Sequence, residues 1–386
     1  MDRLIQLLLI IIIAAILSCC SSTNSYQPNY PEHSLSRYED KLWEISERAI
    51  TDMQKRGMFY SDSKTESLID SIFNEFLFPG TISHFRINTK ILYSGTPNAV
   101  AFANGTMAVT VGMIAYSRNY DMLAFVLAHE ATHLNHRHGL RQYEKTKRQE
   151  TGLIIGTTIP IVDLIVATGA DAIIAGYSRD QEIQADTAAI STLHSAGLKP
   201  IESCNVINVF VRLSNFYDNP PSNFLASHPT YSSRIAALEG QIKCLPNIVF
   251  ENKFEHYEPY DQLAAPFRTL LMKILLKEKK HEIASAFIKS YPDTGWENEA
   301  VIAQADIYLN TAKDSVAMVD SLENILASLA ERNSSPDYHR IMGTAYYNRR
   351  MYQLAIIHLN RYLELAVRPK DRYYIEGLIE RCENEI

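Results

Sequence analysis

The pattern that most limits what this chain can fold into is His129-Glu130-Ala131-Thr132-His133, set in a stretch of helical periodicity running from Asp121 to Gly139. Residues four apart on a helix are separated by about 40° around its axis, so the two imidazoles face one point and can share a metal ion. Leu123, Val126 and Leu127 supply an apolar face, which anchors such a helix in a core. Glu130 falls on the adjoining flank, placed to accept a proton from water instead of binding the ion. A catalytic metal of this kind takes three protein donors and leaves a fourth position open, so one more ligand must come from elsewhere in the chain.

The best third ligand is Glu182, in the run Ser178-Arg179-Asp180-Gln181-Glu182-Ile183-Gln184-Ala185-Asp186. Glu182 and Asp186 are again four apart on one helix face. One carboxylate is expected to bind the metal while the other holds a ligand histidine through its distal N–H. The competing reading of Glu182 is a surface ion pair with Arg179. His136 and His138, close behind the motif, are read as non-ligands.

With 386 residues the chain can bury more than one core, and 46% hydrophobic with 21% charged residues is a globular balance. A net charge of −7, with no basic stripe interleaved with aromatics, argues against nucleic acid as a partner. Arg3 precedes an apolar run from Leu7 to Leu17, which meets Ser18, Cys19 and Cys20 in the order of an export signal. Such a run is short for a membrane span, which needs about 20 apolar residues. Ile16-Leu17-Ser18-Cys19 is similar to a bacterial lipobox, with acylation expected at Cys19; Cys20 and a plain secretory signal are the alternatives. The expected organisation is a signal peptide over 1–18, a flexible tether over 19–34, a first domain over 35–255 and a helical domain over 261–386. In an oxidising compartment Cys204 could pair with Cys244, against a reading of three ordinary buried thiols.

Two helices are expected between Leu35 and Phe78, ended by Pro79-Gly80. Short strands follow around Ile91-Leu92-Tyr93, Val100-Ala101-Phe102 and Met107–Val111, with Asn104-Gly105 as a hairpin turn. Gly152 to Gly176 is apolar but interrupted by Asp163, Asp171 and Pro160. It is read as a segment beside the site, with a membrane-touching hairpin as the alternative. In the tail, Ala305, Tyr308 and Ala317 recur 38 positions on as Gly343, Tyr346 and Ala355. Together with Leu359 these match the small and aromatic positions of a tetratricopeptide unit, whose period is usually about 34. The fold class expected is therefore α+β, mainly helical, with a small sheet in the first domain and an all-α repeat domain after it.

The His129–His133 motif, the Ser178–Asp186 run, and Ser227-His228-Pro229 followed by Arg234 together resemble the zinc peptidases that include the CAAX prenyl protease, HtpX and BepA. The resemblance covers roughly residues 95 to 240, and the lipobox and helical tail bring it nearest to the periplasmic BepA-like branch. It implies a zincin-type (gluzincin) fold, one zinc ion held by His129, His133 and Glu182, and endopeptidase chemistry with Glu130 as base. It further implies Asp186 as an orienting carboxylate and a role for His228 in stabilising the oxyanion or occupying the metal before substrate arrives, with Arg234 supporting that loop. Ala99, Val100, Ala101, Phe102 and Ala103 match the family's strand beside the substrate cleft, to which an extended peptide would add. The expectation is a peptidase anchored by lipid in the bacterial envelope, facing the periplasm with the outer membrane favoured, that acts on misfolded or misassembled proteins. Its repeat tail would meet outer-membrane assembly components. The rival expectation is an assembly chaperone or adaptor with a latched or rarely used site.

Overall fold

The computed structural model describes residues 37–78, 87–143, 177–216, 231–250, 252–292, 296–312, 318–327 and 335–386. The chain divides into two compact units. One comprises residues up to Thr110 together with Asn119–His256, and the other Val111–Arg118 with Tyr257–Ile386. Cys19, the segment 152–176, His228 and Ala317 lie outside the described residues.

The first unit opens with α1 (Arg37–Lys55), β1 (Phe59–Tyr60) and α2 (Ser63–Ser71), the last continuing into a π-helical turn, Ile72–Leu77. Strands β2 (Asn88–Leu92), β3 (Ala99–Ala101) and β4 (Thr106–Thr110) complete a four-stranded sheet of order β1-β2-β4-β3. β4 runs parallel to β2 and antiparallel to β3. The β3–β4 hairpin turns at Asn104-Gly105, where Gly105 takes φ +82°, a conformation that costs a residue without a Cβ little. The strand is shorter than the sequence predicts. Only Ala99–Ala101 pair, while Phe102 and Ala103 belong to the turn, Phe102 N–H closing onto Thr106 O at 2.8 Å. Every residue of β4 is buried, as expected of an inner strand covered on both faces. On one face, Ala49 and Met53 of α1 pack with Leu92, Val100, Phe102 and Ala108.

The chain leaves β4 through α3 (Val111–Tyr116), which belongs to the second unit, and re-enters the first at α4 (Tyr120–Asn135). Asn119 caps α4, its side chain accepting from Met122 N–H at 2.8 Å, and all of Met122 to His133 is buried. A helix buried on every side is a core helix. Helices α5 (Arg179–Ser195) and α6 (Glu202–Ser214) pack against it, and α7 (Tyr231–Lys243) packs in turn on α5 and α6. Cys204 is a buried thiol and Cys244 an exposed one, so the Cys204–Cys244 pairing is not formed; Cys382 is a third, buried thiol.

Among the described residues the second unit is helical: α3, then α8 (Tyr260–Lys277), α9 (His281–Ser290), α10 (Glu297–Thr311), α11 (Met318–Leu326), α12 (Pro336–Asn348), α13 (Tyr352–Leu365) and α14 (Arg372–Asn384). Ala305, Met318, Leu322, Ile341, Met342, Ala345 and Ala355 share one core. Gly343 permits the close approach of α12 and α13, since a Cβ there would lie 2.7 Å from Leu359 Cδ2 and 3.1 Å from its backbone nitrogen.

Candidate metal centre

Two helices bring the site together. α4 is positioned by its Asn119 cap and by Asp121, whose Oδ1 accepts from Lys199 N–H at 2.8 Å. α5 starts where Ser178 and Gln181 form a reciprocal capping box, which places Glu182 in its first turn. The helices pack side by side, and His129, His133 and Glu182 form one buried group of converging donors.

The donor spacing tests whether a metal fits. His129 Nε2 and His133 Nε2 are 3.1 Å apart, His129 Nε2 and Glu182 Oε2 3.6 Å, and His133 Nε2 and Glu182 Oε1 3.5 Å. A tetrahedral zinc with ligands at about 2.0–2.1 Å requires donor–donor edges of about 3.3–3.4 Å. The observed triangle brackets that value, and its members are two nitrogens and a carboxylate, a donor set suited to a divalent ion. The alternative reading of Glu182 as a partner of Arg179 is not the arrangement seen, because its carboxylate faces the imidazoles.

Each imidazole is held from behind. His129 Nδ1 lies 3.0 Å from Asp186 Oδ1. Asp186 also takes a bidentate contact from Arg234, at 2.8 Å from Nε and 2.7 Å from Nη2, and Arg234 Nη1 reaches Glu182 Oε2 at 3.4 Å. Burial alone would raise Asp186, but the hydrogen bond from His129 and the charge of Arg234 outweigh it and hold the carboxyl well below the usual carboxylate range. Arg234 thus clamps two carboxylates of α5. His133 Nδ1 lies 2.9 Å from His138 Nδ1, whose Nε2 lies 2.9 Å from Gln184 Oε1. Burial pushes His138 down to about 4, against the opposing hydrogen bond of Gln184. The ring of Tyr177 stacks on His133, 3.7 Å between centroids at 20°. Burial, then the charges of Glu130 and Glu182, push the Tyr177 phenol far up, so it stays protonated.

Beside His129 and the buried Glu130 opens a small cleft, of about 30 Å³, lined by Asn98, Ala99, Phe125, Val206, Ile207 and Phe210, with Arg234 at its wall. Ala99 belongs to β3, the sheet's edge strand. Sequence reading gives no role to Tyr177, to Gln184 or to the wall of α6. The apolar spacing of Val206 and Phe210 on one helix face was a visible signal, whereas the stacking of Tyr177 had none.

Residues 63–242 match peptidase family M48, and the converging group His129, His133 and Glu182 lies inside that matched stretch, in a mostly helical fold with a small sheet. Among curated proteins it is similar to the beta-barrel assembly-enhancing protease of Escherichia coli K12, 24% identical over 175 residues (42% of this chain, 35% of that protein). That of Yersinia pestis is 27% identical over 151 residues (36% and 31%). A Vibrio cholerae protein provisionally given the same name is 30% identical over 152 residues (36% and 31%). The match spans about a third of the length of these relatives.

Proposed function

We propose that this chain is a zinc-dependent endopeptidase of the bacterial cell envelope that removes misfolded or misassembled proteins. The observation that carries the reading is the buried triangle of His129 Nε2, His133 Nε2 and the Glu182 carboxylate, with edges of 3.1–3.6 Å, inside the stretch that matches peptidase family M48. His129, His133 and Glu182 would hold the ion, which when bound supplies Lewis acidity toward a scissile carbonyl and toward water.

The remaining work falls to the chain's own side chains. Glu130, buried at the cleft beside His129, takes the proton from the attacking water and passes it to the departing amine. An extended substrate adds to β3, the outer strand of the sheet among the described residues, through backbone hydrogen bonds, which tolerate many sequences. Its side chain next to the scissile bond enters the apolar cleft walled by Phe125, Val206, Ile207 and Phe210. Exposed apolar segments of this kind are what a misfolded protein offers. Asp186 and Arg234 keep the ligands oriented, and His228 is assigned the stabilisation of the oxyanion on the strength of the Ser227-His228-Pro229 resemblance.

The relatives' names, which pair protease with beta-barrel assembly, support an envelope setting and outer-membrane assembly components as partners of the C-terminal helices. The export-signal order and lipobox-like run at Cys19 support a lipid anchor there. The test is casein digestion by purified chain with and without chelator, alongside Glu130→Gln. The wild type should cleave only when loaded, and the variant should keep its zinc while losing about 10²–10⁴-fold in rate. A Glu130→Gln protein that digests casein at the wild-type rate would remove the assigned base. Client protection that survives the substitution, without any cleavage by the wild type, would favour the adaptor.

A further inference from the structure

We propose that His138 is a positioning residue for His133 and that Gln184 is the anchor of that chain, a two-step relay fixing which nitrogen of His133 faces the metal. The inference rests on the metal reading above.

The tautomer logic runs from the far end inwards. The Gln184 Oε1 atom can only accept, so at 2.9 Å it takes the proton of His138 Nε2. His138 Nδ1 is then an acceptor, and at 2.9 Å it takes the proton of His133 Nδ1. That leaves the lone pair of His133 on Nε2, the atom 3.1 Å from His129 Nε2 and 3.5 Å from Glu182 Oε1. His129 reaches the same state in one step through Asp186. Glu182, Gln184 and Asp186 sit at alternate positions of α5, so one helix provides the third ligand and the terminus of both orienting chains.

The backbone explains how His138 comes to be there. On an unbroken helix residues five apart point about 140° away from each other. α4 instead ends at Asn135, and Arg137 takes φ +52° with its side chain on Glu39 Oε1 at 2.9 Å, which turns the fully buried His138 back beside His133. Tyr177, stacked on the face of the His133 ring, limits its rotation.

The test is zinc affinity of the full chain, measured by competition with a chromophoric chelator. His138→Phe keeps a ring but offers no nitrogen, and it should bind zinc about 10–100-fold more weakly. Gln184→Leu should lose about tenfold, while Gln184→Glu, which keeps an acceptor, should stay within about threefold of wild type. Gln184 is exposed, so its pair of variants decides the matter even if His138→Phe fails to fold. Unchanged affinity in Gln184→Leu, or an equal loss in Gln184→Glu, overturns the relay while leaving the peptidase reading intact. A wild-type chain that takes up no zinc overturns both.

Discussion

At the residue scale the site separates two kinds of buried polar group by what stands behind them. Asp186 is ionised because His129 and the forked Arg234 offset its desolvation, so its contribution to stability is present above the ordinary carboxylate pKa of about 3.9 and is lost only as pH falls below it. His138 works in the opposite sense and in a different window. Its folded pKa of about 4 lies below the unfolded value near 6.5, so the unfolded chain binds more protons between the two, and stability falls as pH is lowered through that range. Thermal unfolding of chelator-treated protein should therefore show wild type losing more Tm than His138→Phe between pH 7 and pH 5. Parallel curves would mean that His138 titrates normally in the folded chain. These residues differ in how far they could be read from sequence. His129 with His133, and Glu182 with Asp186, are spaced four apart, so helical geometry alone puts each pair on one face. Arg234 meets Asp186 across 48 positions and Gln184 meets His138 across 46, pairings that only tertiary packing creates.

At the scale of elements, the starts of the two site helices are written in local chemistry. Asn119 and the Ser178–Gln181 box satisfy backbone donors that a helix start leaves open, and a cap of this kind is worth about 1 kcal/mol. The Asn104-Gly105 hairpin was legible for the same reason. The two-residue strand β1 and the π-helical turn Ile72–Leu77 were not, because pairing partners and packing decide them, not the residues themselves. In the helical unit the small residue at Gly343 was visible as part of a recurring pattern, and the structure gives its physical cause in the close approach of Leu359. Gly343→Ala should destabilise this unit by about 1–3 kcal/mol, since the methyl meets backbone as well as side chain. Gly377→Ala, in α14 with no atom within 4 Å of the new methyl, should be neutral or stabilising by up to about 1 kcal/mol. Denaturant melts of the two variants check the contrast, and equal midpoints would show that α12 and α13 can separate at little cost.

At the scale of the whole molecule, the two units are not consecutive stretches of sequence. The chain leaves the first at Thr110, spends Val111–Arg118 in the second, and returns at Asn119, the cap of the helix that carries His129, Glu130 and His133. Sequence reading placed a boundary near residue 256 and had no means of seeing this excursion, because Val111–Tyr116 is as apolar as the strand before it. Within the second unit all six of these residues are buried. Tyr260 Oη donates to Ile114 O at 2.9 Å, Arg268 Nε to Ala115 O at 3.4 Å, and Tyr291 Oη to Tyr116 O, while Arg118 Nη2 reaches Ser290 O at 2.9 Å. A chain ended after His256 loses every one of those partners and exposes Val111, Met113, Ile114 and Tyr116, each worth about 1.5–3 kcal/mol when fully buried. It should melt lower than the full chain and aggregate. It should also bind zinc more weakly, because Asn119 caps α4 one residue beyond the loosened segment. Purification of the truncated chain, followed by thermal melting and chelator competition, checks this. A soluble fragment with unchanged Tm and zinc affinity would show that the excursion is a passive connector and that the metal centre needs nothing from the helical unit.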